Sequence, residues 1–232
     1  MTDEKDTSDA EESGMKVKCL SCGSPQEGFF CHDCHTVLPI GGESDYFTLF
    51  ELERRPLLNE ERLRETFLRL NQLVHPDRYF NATDEIQEVS LDRSSRVNQA
   101  YQTLKDPRER LKYLLMLETG EEPRETSRAS MEIMTFYMEA AEVCQEAEQW
   151  AKARESGSPR TEGEVLRSRL MNDRDQAAAL WRESLKEIEA VDREWTGGDR
   201  KAVLDRIRLL CNDLSYIAKL RMLIDQQILG LS

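Results

Sequence analysis

The spacing of apolar residues after residue 45 restricts most strongly how this chain can fold. From there on it follows the period of an α-helix, and no pair of segments alternates as strands do. One helix is predicted from about Ser130 to Ala153, with a break at 155–159, and two longer helices follow on either side of Gly197-Gly198. The two longer helices have apolar stripes at Leu166, Leu170, Ala177, Trp181, Ile188, Val191 and Trp195, and at Val203, Ile207, Leu210, Leu214, Ile217, Ile224 and Ile228. We therefore predict an all-α body that ends in a three-helix bundle with antiparallel neighbours.

Composition and charge restrict the partners. The 232 residues, 39% of them apolar, suffice for two small helical units. A formal net charge of −13 opposes general attraction to nucleic-acid phosphates or anionic lipid, so we expect protein partners, no nucleic acid and no membrane. No apolar run approaches a membrane span, and the first residues lack the pattern of a signal or transit peptide, which favours the cytoplasm. Residues 1–15 are polar and acidic and are predicted to form a disordered tail.

Four of the six cysteines form two CxxC pairs separated by eight residues: Cys19, Cys22, Cys31 and Cys34. Each pair can form a tight turn that directs two thiolates to one ion, and two such turns complete a tetrahedral site. The segment 16–42 can bury little else, so metal binding and folding should be one event.

We predict structural zinc at this site, as a small zinc knuckle or ribbon. Iron is the alternative, because sulfur ligands also select iron. Disulfides do not fit a reducing compartment, and a redox dithiol normally accompanies a βαβ pattern that this chain lacks. Since four cysteines already complete the coordination shell, we expect His32 and His35 to be exposed neighbours of the site.

His75-Pro76-Asp77 ends a predicted amphipathic helix and begins a polar loop. The apolar positions of that helix are Leu63, Phe67, Leu70 and Val74. Proline fixes its own φ and disfavours the helical conformation of the preceding residue, so the helix should stop sharply. A titratable ring and a carboxylate then lie at a forced bend, which suits docking on a partner. The same tripeptide can also be an ordinary helix terminator.

The motifs around this corner resemble a known domain. They are DYFTLF from Asp45, HPDRYF from His75, and VNQAYQTLKDPRERLKYLL from Val97. Over about residues 45–117 their order resembles the J-domain of the HscB family, the J-type co-chaperones that serve iron–sulfur cluster assembly. Gly120, Pro123 and clustered charges mark a linker at 118–128, so we predict a J-domain helical hairpin at 43–117 and a separate three-helix bundle at 129–232. The resemblance implies that this bundle is the scaffold-binding domain.

The resemblance implies two docking sites. In this family the His-Pro-Asp loop and the preceding basic helix face bind a DnaK/HscA-type chaperone and trigger its ATP hydrolysis, which gives that role here to His75, Pro76, Asp77, Arg62, Arg64 and Arg69. The second partner is the iron–sulfur scaffold IscU, and the matching positions for its contacts are Ile133, Met134, Tyr137 and Tyr216. The chain departs from the family at Met138 and Ala141, where glutamates are frequent. Some members, notably eukaryotic ones, have a similar tetracysteine extension.

Core packing is the alternative explanation for the apolar residues of this second site. The helix that begins near Ser130 has large apolar residues around most of its circumference, at Met131, Ile133, Met134, Phe136, Tyr137 and Met138. They can provide an extra docking face, since methionine-rich surfaces adapt to partner shapes, or they can pack within the bundle. Cys144 and Cys211 are expected to be small buried residues.

Three functions follow from these features. The first is a co-chaperone that activates the chaperone ATPase and delivers the scaffold to it. The second is a J-domain co-chaperone for unrelated clients, and the third is a rubredoxin-like iron protein. We expect no catalysis by the chain itself, because it has only three histidines and no nucleophile motif or phosphate-binding glycine loop.

Overall fold

The computed structural model describes residues 16–39, 45–121, 129–153 and 160–231, so the predicted tail at 1–15 and the break at 155–159 lie outside them. In this part of the chain, helices predominate and strands occur only near the N-terminus, which confirms the predicted all-α fold with a small preceding ribbon. None of the described helices is both long and apolar enough to cross a membrane. The elements are β1 (Val17–Lys18), β2 (Pro25–Gln26), α1 (Tyr46–Leu49), α2 (Glu60–Val74), a 3₁₀ turn (Pro76–Tyr79), α3 (Asp84–Lys105), α4 (Pro107–Thr119), α5 (Met131–Ala153), α6 (Arg160–Glu194) and α7 (Arg200–Gly230).

Packing divides the chain into two compact units. The first contains the described residues up to Glu53 together with Glu60–Gln102, and the second contains Arg54–Asn59 and the described residues from Thr103 onward. Helix α4 lies in the second unit, where it packs against α7. As domain limits, 43–117, 118–128 and 129–232 stay predictions. Of the predicted linker, only 118–121 are described, and there α4 ends at Gly120 with a left-handed φ of 70°.

In the first unit, two helices flank the 3₁₀ turn. Helix α2 buries Leu63, Thr66, Leu70 and Val74. Its Phe67 ring stacks on Tyr101 of α3 at 4.0 Å between centroids. The short α1 is capped by Asp45, whose carboxylate accepts hydrogen bonds from the N–H of Phe47 at 2.8 Å and of Thr48 at 3.1 Å. The order α2, turn, α3 is the predicted hairpin around His75-Pro76-Asp77.

In the second unit, α5, α6 and α7 pack against one another as the predicted bundle. Both predicted stripes face the core, and only Trp181, Trp195 and Ile228 among their members are partly exposed. Cys144 and Cys211 are buried, as expected, and burial raises the pKa of their thiols to about 11 and about 12. Asp199 caps α7 by accepting the Lys201 N–H at 3.0 Å.

The segment 54–59 joins this bundle through polar contacts that the sequence did not reveal. Asp192, near the end of α6 and only 7% exposed, accepts hydrogen bonds from the Arg55 guanidinium and from the Leu57 N–H at 3.0 Å. The buried Arg110 of α4 donates to the Pro56 carbonyl at 2.9 Å. Residues 54–59, which precede α2, and helix α4 therefore both contribute to the second unit.

Candidate metal centre and docking surfaces

The four predicted metal ligands lie together. Their Sγ atoms are all within 4.8 Å of one another, with Cys19 and Cys34 at 3.5 Å and Cys22 and Cys31 also at 3.5 Å. Tetrahedral zinc with Zn–S bonds of about 2.3 Å needs sulfur atoms about 3.8 Å apart. The thiolate set therefore fits one tetrahedral ion after small adjustments.

Two similar turns build this cluster. In the first, the Cys19 N–H donates to the Ser24 carbonyl at 2.9 Å and the Gly23 N–H donates to the Cys19 carbonyl at 2.8 Å. In the second, Cys31 and Thr36 bond in the same way at 2.9 Å, and the His35 N–H donates to the Cys31 carbonyl at 2.9 Å.

The residue after each CxxC pair has a left-handed backbone, with φ 77° at Gly23 and 59° at His35. Both His32 and His35 are exposed and outside the sulfur cluster, as predicted. Each turn thus directs its thiols inward while the histidines stay in solvent.

The environments of the thiols differ. A hydrogen bond with the Thr36 side chain lowers the pKa of Cys34 to about 6, and one with the Ser24 side chain lowers the pKa of Cys22. Desolvation raises the pKa of the fully buried Cys31 to about 11. A bound cation would supply the charge that keeps Cys31 as a thiolate.

The His75-Pro76-Asp77 corner is exposed at its tip. The His75 side chain is 50% exposed and that of Asp77 is 92% exposed. His75 caps the 3₁₀ turn, because its Nδ1 accepts the Asp77 N–H at 3.3 Å. The imidazole and the carboxylate therefore stand side by side, with Nδ1 3.7 Å from the Asp77 oxygen.

Side-chain hydrogen bonds, one of them fully buried, hold the backbone on both sides of the corner. The Ser90 hydroxyl of α3 donates to the Val74 carbonyl at 2.7 Å, which satisfies a carbonyl at the end of α2. Tyr79, 7% exposed, donates its hydroxyl to the Leu73 carbonyl at 3.1 Å. The Gln87 side-chain amide donates to the carbonyls of Phe80 at 3.1 Å and Ala82 at 3.0 Å. The side chains of His75 and Asp77 can thus contact a partner while the backbone around them stays fixed.

The three predicted arginines of α2 do not share one face. Arg62 donates to the Glu51 carbonyl at 3.0 Å, and Arg69 bonds to the Glu51 carboxylate at 2.8 Å. Being seven residues apart, these two arginines lie on one side of the helix. Arg64 is exposed and lies about 160° around the helix from Arg62. Arg64 instead lies on the side of α2 that carries Leu68 and leads to His75, because these residues follow it by four and eleven positions.

The predicted scaffold residues divide between surface and core. Tyr137 of α5 and Tyr216 of α7 meet edge-on, with ring centroids 5.3 Å apart, and both are partly buried. Met134 is also partly buried, whereas Ile133 is 5% exposed and belongs to the bundle core. The structure therefore brings the tyrosines together at the surface and gives Ile133 a packing role. Beside them, Met131 and Met138 are 83% and 60% exposed.

Sequence reasoning missed Arg93, which is only 4% exposed. Its guanidinium donates to the carbonyls of Leu38 at 2.7 Å, Pro39 at 2.7 Å and Gly28 at 3.3 Å, and lies 4.0 Å from the centre of the Phe29 ring. Burial lowers its pKa to about 10. The available signal was its position four residues before the buried Val97, on the apolar stripe of α3.

No family model matches the chain. The curated relatives and solved structures that match it are HscB proteins. The iron–sulfur cluster co-chaperone protein HscB of Homo sapiens is 28% identical over 211 residues, covering 86% of this chain and 87% of the relative. The co-chaperone protein HscB homolog of Chromobacterium violaceum is 37% identical over 123 residues, covering 52% of this chain and 70% of the relative.

Solved structures share the fold. The crystal structure of human co-chaperone protein HscB aligns with a TM-score of 0.63 at 21% identity, over 90% of this chain and 98% of that one. Chaperone HscB from Vibrio cholerae aligns with a TM-score of 0.55 at 22% identity, over 79% of this chain and 96% of that one. The fold agrees with the sequence comparison, in which a relative 37% identical to this chain is covered over 70% of its length. The chain therefore belongs to the HscB family of co-chaperones.

Proposed function

We propose that this protein stimulates the ATPase of a DnaK/HscA-type chaperone and delivers an IscU-type scaffold to it for iron–sulfur cluster transfer. The chain would act as an adaptor with no reaction of its own, working in the cytoplasm. Family membership supports the co-chaperone role, and relatives named as iron–sulfur cluster co-chaperones support the pathway.

One observation supports the proposed binding to the chaperone: the His75 and Asp77 side chains are exposed, while hydrogen bonds from Ser90 and Tyr79 fix the backbone next to them. A docking loop gains affinity when its bound conformation is already formed, because less entropy is lost on binding. Ser90 and Tyr79 fix the backbone below the tip, while the imidazole of His75 and the carboxylate of Asp77 remain available. Arg64, Arg62 and Arg69 would add electrostatic attraction from two sides of α2.

The scaffold half rests on Tyr137 and Tyr216. Aromatic anchors in the centre of an interface often dominate its binding energy, and this pair is fixed by its edge-on contact while part of each ring remains exposed. Met134 would complete the contact, with Ile133 supporting it from the core. The four-thiolate site would hold structural zinc in this scheme.

Chaperone ATPase measurements test the proposal directly. The rate would be measured with this protein, with the scaffold, and with both, and we expect synergy when both are present. His75→Gln should abolish the stimulation while leaving the fold intact, because the side chain is exposed at the tip. His32→Gln provides the control for a histidine substitution, as His32 is also exposed but belongs to the cysteine segment and not to the 3₁₀ turn. Full stimulation by a folded His75→Gln protein would contradict the proposed docking role.

A pull-down separates the two co-chaperone functions. A co-chaperone for unrelated clients would stimulate the ATPase yet fail to retain the scaffold. Retention of the scaffold together with synergy in the ATPase assay is the result expected here.

A further inference from the structure

We propose that the four-cysteine segment sets the conformation of the His75-Pro76-Asp77 corner, with Tyr79 and Arg93 as the positioning residues that join them. Metal loading of the thiolate site would then control how well the protein activates its chaperone. This inference rests on the proposed function, but its structural half can be measured without the chaperone.

Tyr79 forms the direct contact. It belongs to the same 3₁₀ turn as Pro76 and Asp77, and its buried hydroxyl donates to the Leu73 carbonyl at the end of α2. Burial raises the pKa of Tyr79, and the backbone N–H of Val37, which follows the second cysteine turn, partly opposes this rise, so it faces the same phenol oxygen. One phenol therefore joins the corner, the preceding helix and the metal-binding segment.

Arg93 forms the second contact, from α3. Its guanidinium is bonded to three carbonyls of the cysteine segment, and Ser90, one turn earlier on the same helix, holds the carbonyl of Val74 just before the corner. A buried guanidinium that loses its acceptors carries a large desolvation penalty. The position of α3 beneath the corner thus depends on an ordered segment at 28–39.

Order in that segment depends on the metal. Its small core contains Cys19, Cys31 and Leu38, with Val17 and Cys34 packed against them, so three of the five members are thiol ligands. Apolar burial on this scale cannot offset the conformational entropy of the segment without a bound ion. Losing the ion would therefore release the acceptors of Arg93 and the Val37 contact of Tyr79 together.

Amide hydrogen exchange of zinc-loaded and chelated protein tests the structural half. The informative amides are those of Arg78, Phe80 and Ala82, whose N–H groups donate within the turn to His75, Asp77 and Tyr79. Chelation should accelerate their exchange by about tenfold or more, while amides of α6 and α7 stay unchanged. Equal exchange at these three positions in both states would overturn the inference.

Chaperone stimulation tests the functional half. If chelation lowers the population of the competent corner about tenfold, the half-maximal concentration for stimulation should rise about tenfold at unchanged maximal rate. Tyr79→Phe keeps the ring but removes the hydroxyl that bonds to Leu73 and faces the Val37 backbone. Arg93→Lys cannot reach three carbonyls, so in either variant the response to chelation should shrink. Arg96→Lys is the matched control on the same helix and should keep the full response.

The possible outcomes distinguish the two proposals. Stimulation that is equally strong with and without zinc would refute this coupling and leave the proposed function standing. Absence of stimulation in every state would refute the proposed function, and the hydrogen-exchange comparison would still decide whether the metal orders the corner.

Discussion

Replacing Tyr216 by alanine should weaken scaffold binding without unfolding the bundle. The ring is partly buried and meets Tyr137 edge-on at 5.3 Å between centroids. Truncating a fully buried aromatic costs about 3–5 kcal/mol of unfolding free energy, and since part of this ring is in solvent we expect about 2 kcal/mol. In a protein of this size that corresponds to a melting temperature lowered by about 4–8 °C.

The same substitution should cost far more in binding than unfolding can explain. If the native state is stable by at least about 5 kcal/mol, the variant keeps about 3 kcal/mol and less than about 1% of it is unfolded. A central aromatic anchor contributes about 2 kcal/mol or more to an interface, so the Kd for the scaffold should rise about 30-fold. Only loss of an interface contact accounts for such a change in a folded protein.

Isothermal titration with the scaffold, together with thermal unfolding, measures both quantities. Trp181→Ala is the matched control, because Trp181 is also partly buried against the bundle core but lies on α6. We expect this control to lose stability and retain the scaffold. The reasoning fails if folded Tyr216→Ala binds the scaffold as tightly as the original protein, or if Trp181→Ala weakens binding equally.

Three further predictions concern the metal, the scaffold face and a buried acid. Metal analysis should find one zinc per chain, and chelation should leave most of the helical circular dichroism intact; visible colour from bound iron would contradict the first expectation and a general loss of helix the second. Met138→Glu places at this exposed position the glutamate that the family resemblance implies and should raise scaffold affinity, which titration against the original protein checks. Burial raises the pKa of Asp213, whose carboxylate accepts the Ser130 N–H at 2.7 Å. When a carboxyl has a raised pKa in the folded state, the protein loses stability as pH rises through that pKa, because the buried group becomes charged. Asp213→Asn should therefore be more stable than the original protein at neutral pH, and the difference should shrink on acidification. A difference in denaturant unfolding that does not change with pH would contradict this.

Local patterns predicted the elements well. The helical spacing of apolar residues predicted α5, α6 and α7 and their buried stripes, because residues on the core face of a helix recur every three or four positions. The CxxC spacing likewise predicted the sulfur cluster, because each pair forms its own turn. Proline chemistry predicted the stop after α2 at the corner.

Pairings between distant residues could not be predicted in this way. Asp192 bonds to Arg55 across 137 positions, and Arg93 to Leu38 across 55, and no local period encodes such partners. The burial of Ile133 shows a second limit of prediction from the sequence. Because α5 has apolar residues around most of its circumference, its pattern did not indicate which of them face the core.

The contact between Asp192 and the segment 54–59 makes the bundle a poor module for excision. A fragment that starts at residue 129 keeps all three long helices, yet it lacks Arg55, the Leu57 N–H and helix α4. A nearly buried carboxylate would then lose its cation, and the face of α7 that α4 covers would meet water. A protein cut or recombined at the predicted linker would therefore have a less stable bundle. The three long helices, α4 and residues 54–59 must be exchanged between relatives together.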